Sequence, residues 1–289
     1  MIYKVLFFIT IFLSSLSLSS QNSIFWEITS PNNKEKSYLL GTYHTLGNHF
    51  VDSLPIIKEK LYQTQLAIFE CIDGDKSEFD KIILRRKNNY DYLEELDSNY
   101  IDKLDSLLKD WEIPLSKLKP YELVVKLQNL YTISHCDNVL LTDTWDHFDN
   151  YLKYLAELNN IEILGLESNS DQIKIFKKTL PKKKWDEVSG YINRLTDAVI
   201  SEEDDKFYCS PINEYRELTE SYYFLNKCDN YLKTKTRNNK WMKEIPEKLE
   251  SKSCFVAVGL AHLREDCGLI SQLRELGFQV KPIPLSDGF

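Results

Sequence analysis

Residues Tyr38–His44 read YLLGTYH and residues Phe255–His262 read FVAVGLAH. Each is an apolar run that ends in glycine, with histidine three positions later. With 5 His and 9 Gly in 289 residues, chance gives about 0.16 such G-x-x-H matches. Two matches, both closing an apolar run, are a repeated device. The glycines, Gly41 and Gly259, are expected to let the chain turn sharply as each strand ends. The histidines then stand at the carboxyl edge of a sheet, where open α/β folds place their ligands. Glu70 closes a third apolar run, Leu66–Phe69, and Glu167 follows a fourth, IEILGL at Ile161–Leu166. His44, Glu70 and His262 thus form a candidate ligand set for a catalytic divalent metal with an open position.

Reading outward from these motifs gives the fold. Phe25–Thr29 (FWEIT) and Tyr38–Gly41 (YLLG), joined by the turn-rich Pro31–Lys36, are expected to form a hairpin. Leu66–Cys71 is a short buried strand, preceded by a helix that starts near Ser53–Pro55 with proline in its first turn. Ile161–Leu166, Cys254–Val258 and Phe278–Val280 complete six strands. Gly277 stands where a helix bearing Leu269, Ile270, Leu273 and Leu276 would be capped. The intervening chain has helical spacing, as in Trp145, Phe148, Leu152 and Leu155. The fold class is therefore α/β (α+β). A central mixed sheet is assembled from the N- and C-terminal segments, and long helical insertions, about 75–160 and 170–250, form a cap. The C-terminal strand–helix–strand must pair with the N-terminal strands, so 21–289 is read as one domain.

The remaining features set compartment and partners. Met1–Ser20 (MIYKVLFFITIFLSSLSLSS) has one lysine, an apolar stretch too short for a bilayer, and small residues at its end. That pattern describes a signal peptide, with the mature chain beginning near Gln21 and exported to a periplasm or the medium. No later stretch approaches the length of a membrane span, so no stable membrane insertion is expected. An exported chain can form disulfides, and of Cys71, Cys136, Cys209, Cys228, Cys254 and Cys267 the favoured pair is Cys209–Cys228, which brackets a short segment. The formal net charge is −8, which excludes a phosphate-tracking nucleic-acid binder. There is no H-E-x-x-H, G-x-S-x-G or phosphate-binding glycine loop, which removes zincins, α/β-hydrolases and nucleotide-binding folds. His135, Cys136, Asp137, Asp143, Asp146 and His147 cluster in sequence, but their spacing fits no compact metal motif and is assigned to a helix start. His49 is expected in a surface loop.

Together these motifs resemble the TraB/PrgY/GumN group, which includes the Tiki-type metalloproteases. The resemblance runs over most of the mature chain: Trp26 with YLLGTYH, Leu54–Pro55 and IFE; then Asp149, Ala156, GLES and Asp171–Gln172; then Arg237–Asn238 with Trp241; then Val258–Leu263, Gly268, Gly277 and Val280. At His147 the chain departs from the group, which usually has glycine there. The resemblance implies that His44, His262 and Glu70 bind a divalent metal (Mn, Co or Zn), and that Glu167, Asp149, Arg237 and Asn238 line the site. It also implies Glu167 or Glu70 as general base and Arg237 as stabiliser of an oxyanion. The expected function is an exported metal-dependent hydrolase acting on a peptide or related small molecule. The alternative is a protein that sequesters such a ligand in the same pocket without turnover.

Overall fold

Three of the site-bearing segments are apolar without alternation, as strands covered on both faces must be. The computed structural model describes residues 23–72, 77–201, 209–228 and 231–285. Within them the strands are β1 (Phe25–Thr29), β2 (Lys36–Thr42), β3 (Leu66–Phe69), β4 (Glu162–Gly165), β5 (Cys254–Gly259) and β6 (Gln279–Pro282). They form one mixed sheet in the order β4-β3-β5-β2-β1-β6. β4, β3, β5 and β2 run parallel to one another, and β1 is antiparallel to both β2 and β6. The expected hairpin is present, with Phe25 opposite Leu40 and Thr29 opposite Lys36. Gly277, at φ +89°, follows the C-cap of the helix Leu269–Glu275 and turns the chain into β6.

This topology gathers the site. β3, β5 and β2 are adjacent and parallel, with Phe69 opposite Ala257, and Gly41 opposite Val258. Their carboxyl ends, which lead to Glu70, His262 and His44, therefore open on the same edge. The ladder continues past β4, since Leu166 N–H donates to Phe69 O and Glu167 N–H to Glu70 O, each at 2.9 Å. Glu167 is thereby set directly beside Glu70.

Two buried apolar clusters support this edge. The larger joins the strands to the helices Asn48–Ser53, Pro55–Tyr62 and Phe148–Leu158 through Phe50, Ile57, Leu61, Phe148 and Leu152. The smaller contains no strand residue and brings Leu104, Leu123, Val124 and Leu127 against Trp185, Ile192 and Leu195. No helix among the described residues is long and apolar enough to cross a membrane. The proposed signal segment Met1–Ser20 and the acidic run Glu202–Asp205 lie outside the described residues.

The structure corrects the cysteine expectation. Cys209 and Cys228 do not pair; the disulfides are Cys136–Cys209 and Cys228–Cys267, while Cys71 and Cys254 remain thiols. The partners are distant in sequence because each bridge joins separate elements. Cys136 caps the helix Pro120–His135, and Cys267 lies in the loop after His262.

Candidate functional site

The two G-x-x-H histidines are oriented by different partners to the same end. His44 follows β2, and its Nδ1 lies 2.5 Å from Asp149 Oδ2. Thr42 Oγ1 donates to the other oxygen, Asp149 Oδ1, at 2.8 Å. An acceptor on Nδ1 leaves His44 Nε2 facing the sheet edge. The Asp149 charge raises the His44 pKa to about 9. Burial alone would raise the Asp149 carboxyl, but the adjoining His44 charge and hydrogen bond hold it below its ordinary value.

His262 lies in the short 3-10 turn Leu260–Leu263 and is buried. The Asn238 side-chain N–H₂ donates to His262 O at 3.0 Å and to Cys267 O at 2.8 Å. With both donors spent, Asn238 Oδ1 is the acceptor for His262 Nδ1–H at 2.6 Å. Arg237 Nη1 donates to His262 Nε2 at 2.8 Å, which requires a lone pair on that nitrogen. Both contacts assign the same neutral tautomer. Burial and the neighbouring Arg237 and His44 charges drive the His262 pKa down to about 3.

Glu70 stands between the histidines. Its Oε1 accepts the Gly259 N–H at 2.8 Å and lies 3.6 Å from His262 Nε2. Its Oε2 accepts from Arg237 Nη2 at 2.5 Å and from Gln172 Nε2 at 3.4 Å. Burial alone would raise this carboxyl; the adjoining His262, Arg237 and His44 and the Gly259 N–H together lower it to about 2. Arg237 also donates through Nε to Glu167 Oε2 at 3.1 Å and pairs through Nη2 with Glu167 Oε1. Its guanidinium stacks over Trp241, 4.7 Å from the ring centroid, and the His262 ring lies 4.4 Å from the same indole.

The glycines act differently from the sharp turn expected of them. Gly259 has φ −53° and ψ 136°, open to any residue. A Cβ there would lie 3.2 Å from Glu70 Oε1 and 3.3 Å from His44 Nε2. A Cβ on Gly41 would meet Leu260 Cδ1 at 2.7 Å. Each glycine therefore keeps a space clear, one of them the space between two candidate ligands.

All seven site residues named from the sequence reach this edge, but in distinct arrangements. Among the described residues, two groups bring all their donor atoms within 4.8 Å: His44–His147–Asp149 and Cys228–Asp266–Cys267. The second is consumed by its disulfide. His44, Glu70 and His262 are spread more widely, with the Arg237 guanidinium bonded to both Glu70 and His262. His147 was assigned to a helix start, and it does occupy the N-cap of Phe148–Leu158. From there its ring stacks on His44 at 5.6 Å and approaches Asp149 Oδ2 to 3.8 Å. Its place two residues before Asp149 was the available signal. His49 is not in a loop: it lies in the helix Asn48–Ser53, clasped by Asp143 at 2.7 Å.

A cavity of about 600 Å³ opens over His44, Glu70, Arg237 and His262, with Ile175, Phe176 and Leu260 among its walls. A smaller one of about 230 Å³ shares His44, Glu70 and Gln172 with it and reaches His147 and Asp149.

A mixed sheet with paired histidines and carboxylates at one edge defines an α/β protein with a built polar site. The chain belongs to the TraB/PrgY/gumN family, whose model matches residues 24–282. No curated protein and no solved structure is significantly similar to it.

Proposed function

We propose that the chain is an exported, metal-dependent hydrolase of the peptidase or amidase kind. The observation that carries this reading is the orientation of the two histidines. Each has Nδ1 held by an outer acceptor, Asp149 or Asn238; His262 Nε2 then lies 3.6 Å from Glu70, and His44 Nε2 faces the clearing at Gly259 that Glu70 also borders. That is how metal-binding imidazoles are prepared. The donor set suits a divalent ion, and the Gly259 clearing lies between two of its members. His44, Glu70 and His262 would hold the ion, which supplies Lewis-acid polarisation of a carbonyl and acidifies water.

The chain's own residues have definable tasks. Glu167, beside Glu70 and bonded to Arg237, would serve as the general base. Arg237 holds both carboxylates in place and presents a cation at the cavity floor, where negative charge would develop on a carbonyl oxygen. Asp149 keeps the His44 proton on Nδ1. The two disulfides support export, because such bonds persist in oxidising compartments.

A second reading has its own support. Arg237 already bonds Glu70, Glu167 and His262, so the floor is partly charge-compensated by the chain itself. Such a site would suit a protein that sequesters a peptide without turnover. Elemental analysis of the mature protein, repeated on His44→Ala and His262→Ala, separates the two. The hydrolase reading requires a stoichiometric divalent ion in the parent protein, lost in both variants together with cleavage of a peptide library. A protein that neither holds nor rebinds Mn²⁺, Co²⁺ or Zn²⁺, yet binds peptide, would establish the second reading.

A further inference from the structure

The cations lining the larger cavity are not equivalent. Arg237 is bonded to Glu70 and Glu167, and Arg264 is paired with the buried Glu220. Lys233 also lines this cavity, is exposed, and has no carboxylate partner among the described residues. It belongs to the π-helical turn Tyr231–Lys235, which runs directly into the helix Thr236–Trp241. Lys233 is four residues before Arg237, and its carbonyl accepts a long bond from Arg237 Nη1 at 3.5 Å. Residues so spaced share one side of a helix at roughly 5–6 Å between Cβ atoms. An uncompensated ammonium is thus mounted about one turn from the floor.

Part of the cavity wall is apolar. Ile175 and Phe176, from the helix Asn169–Thr179, and Leu260, from the turn before His262, face the same cavity. Its volume of about 600 Å³ lies within the usual range for small-ligand sites, roughly 300–1,000 Å³. One open positive charge beside an apolar wall specifies a ligand with one negative charge beside an apolar group.

We propose that Lys233 anchors a substrate carboxylate, so that the substrate class is a short peptide with a carboxylate near the scissile bond and an apolar side chain against Ile175, Phe176 and Leu260. The inference rests on the hydrolase reading only in placing the scissile carbonyl over His44, Glu70 and His262. Each extended residue spans roughly 3.3–3.6 Å, so the carboxylate lies within one or two residues of that bond. It can be the chain terminus or an acidic side chain.

Equilibrium binding to the purified mature protein tests this without requiring turnover. The probes are N-acetyl-Leu-Leu, its C-terminal amide, and N-acetyl-Leu-Asp amide. One or both carboxylate probes should bind about fivefold more tightly than the neutral amide, the effect of a partly exposed ion pair. Lys233→Gln should abolish that preference, and Lys240→Gln, outside the cavity and paired with Asp171 at 3.1 Å, should preserve it. Preference for the first probe identifies a terminal carboxylate, and for the third a side-chain one. Equal binding of all three, or a preference that survives Lys233→Gln, overturns the proposal. A carboxylate preference without cleavage of any peptide would count against the hydrolase reading and leave the Lys233 assignment standing.

Discussion

Asn238 sets the proton of His262: its amide gives both hydrogens to backbone carbonyls, and its oxygen receives the His262 Nδ1–H at 2.6 Å. The arrangement is buried, and Asn238 has 0% exposure. Nothing in it can rotate without orphaning a polar atom.

Replacing Asn238 with alanine should therefore act twice. It leaves the carbonyls of His262 and Cys267 without their donor, which should lower stability by about 1–3 kcal/mol in urea unfolding. It also releases the His262 ring, and under the proposed metal-binding role divalent-metal affinity should fall about 10- to 100-fold in a competition titration. Loss of stability alone, with unchanged metal affinity, would contradict the orienting role.

Arg237→Gln removes the cation shared by two buried carboxylates. Leaving such charges unpaired typically costs about 3–5 kcal/mol. The double variant Arg237→Gln/Glu167→Gln should recover part of that loss, because it removes one orphaned charge as well. Additive losses in the double-mutant cycle would show that the pair is not coupled.

Gly259→Ala should separate fold from site. Its backbone conformation suits alanine, so the thermal midpoint should move little. The new methyl would stand 3.2 Å from Glu70 Oε1 and 3.3 Å from His44 Nε2, tighter than ordinary contact. Under the proposed hydrolase function, metal binding and peptide cleavage should both drop at least tenfold, on the scale of a roughly 1.4 kcal/mol disturbance. Full activity in this variant would remove the clearing from the site.

The pH dependence of stability in the metal-free protein should have a maximum near pH 6.5. The His262 pKa falls from 6.5 to about 3 on folding, so the unfolded chain takes up the proton first and stability declines as pH falls through that interval. Glu70, lowered from 4.5 to about 2, adds a further loss below pH 4.5. His44 rises from 6.5 to about 9; its contribution is complete below pH 6.5 and disappears as pH climbs through 9. Denaturant midpoints across pH should show His262→Gln flattening the acid side and His44→Gln flattening the alkaline side.

Reduction should weaken the fold through both disulfides. Closing loops of 73 and 39 residues stabilises by about 4 kcal/mol each in the chain-entropy account. A reducing agent should lower the thermal midpoint, and Cys136→Ser and Cys228→Ser should each reproduce part of the fall.

Much of this arrangement is legible in the amino-acid sequence, for reasons that individual residues make plain. Apolar runs with β-branched and aromatic residues announced six strands, and a residue at the exit of a parallel strand has little choice of address. His44, Glu70, Glu167 and His262 were therefore readable. Arg237 bonding to Glu70 and Glu167 was not, because 167 and 70 residues separate it from those partners and no periodicity links them. The disulfides escape the sequence for the same reason: the short segment between Cys209 and Cys228 favours that pair, whereas the pairing is decided by which elements pack in space. His147 was hidden by its second identity as a helix cap. The two glycines were found for the wrong reason, since their value lies in the volume they leave vacant and not in a turn.

The disulfides have one more consequence. Asp149 and Glu167 lie between Cys136 and Cys209, and Arg237, Asn238 and His262 lie between Cys228 and Cys267. A single proteolytic cut inside either interval leaves the two fragments covalently tethered. A clipped molecule would thus keep every one of these side chains attached, and the nick would be visible only on a reducing gel.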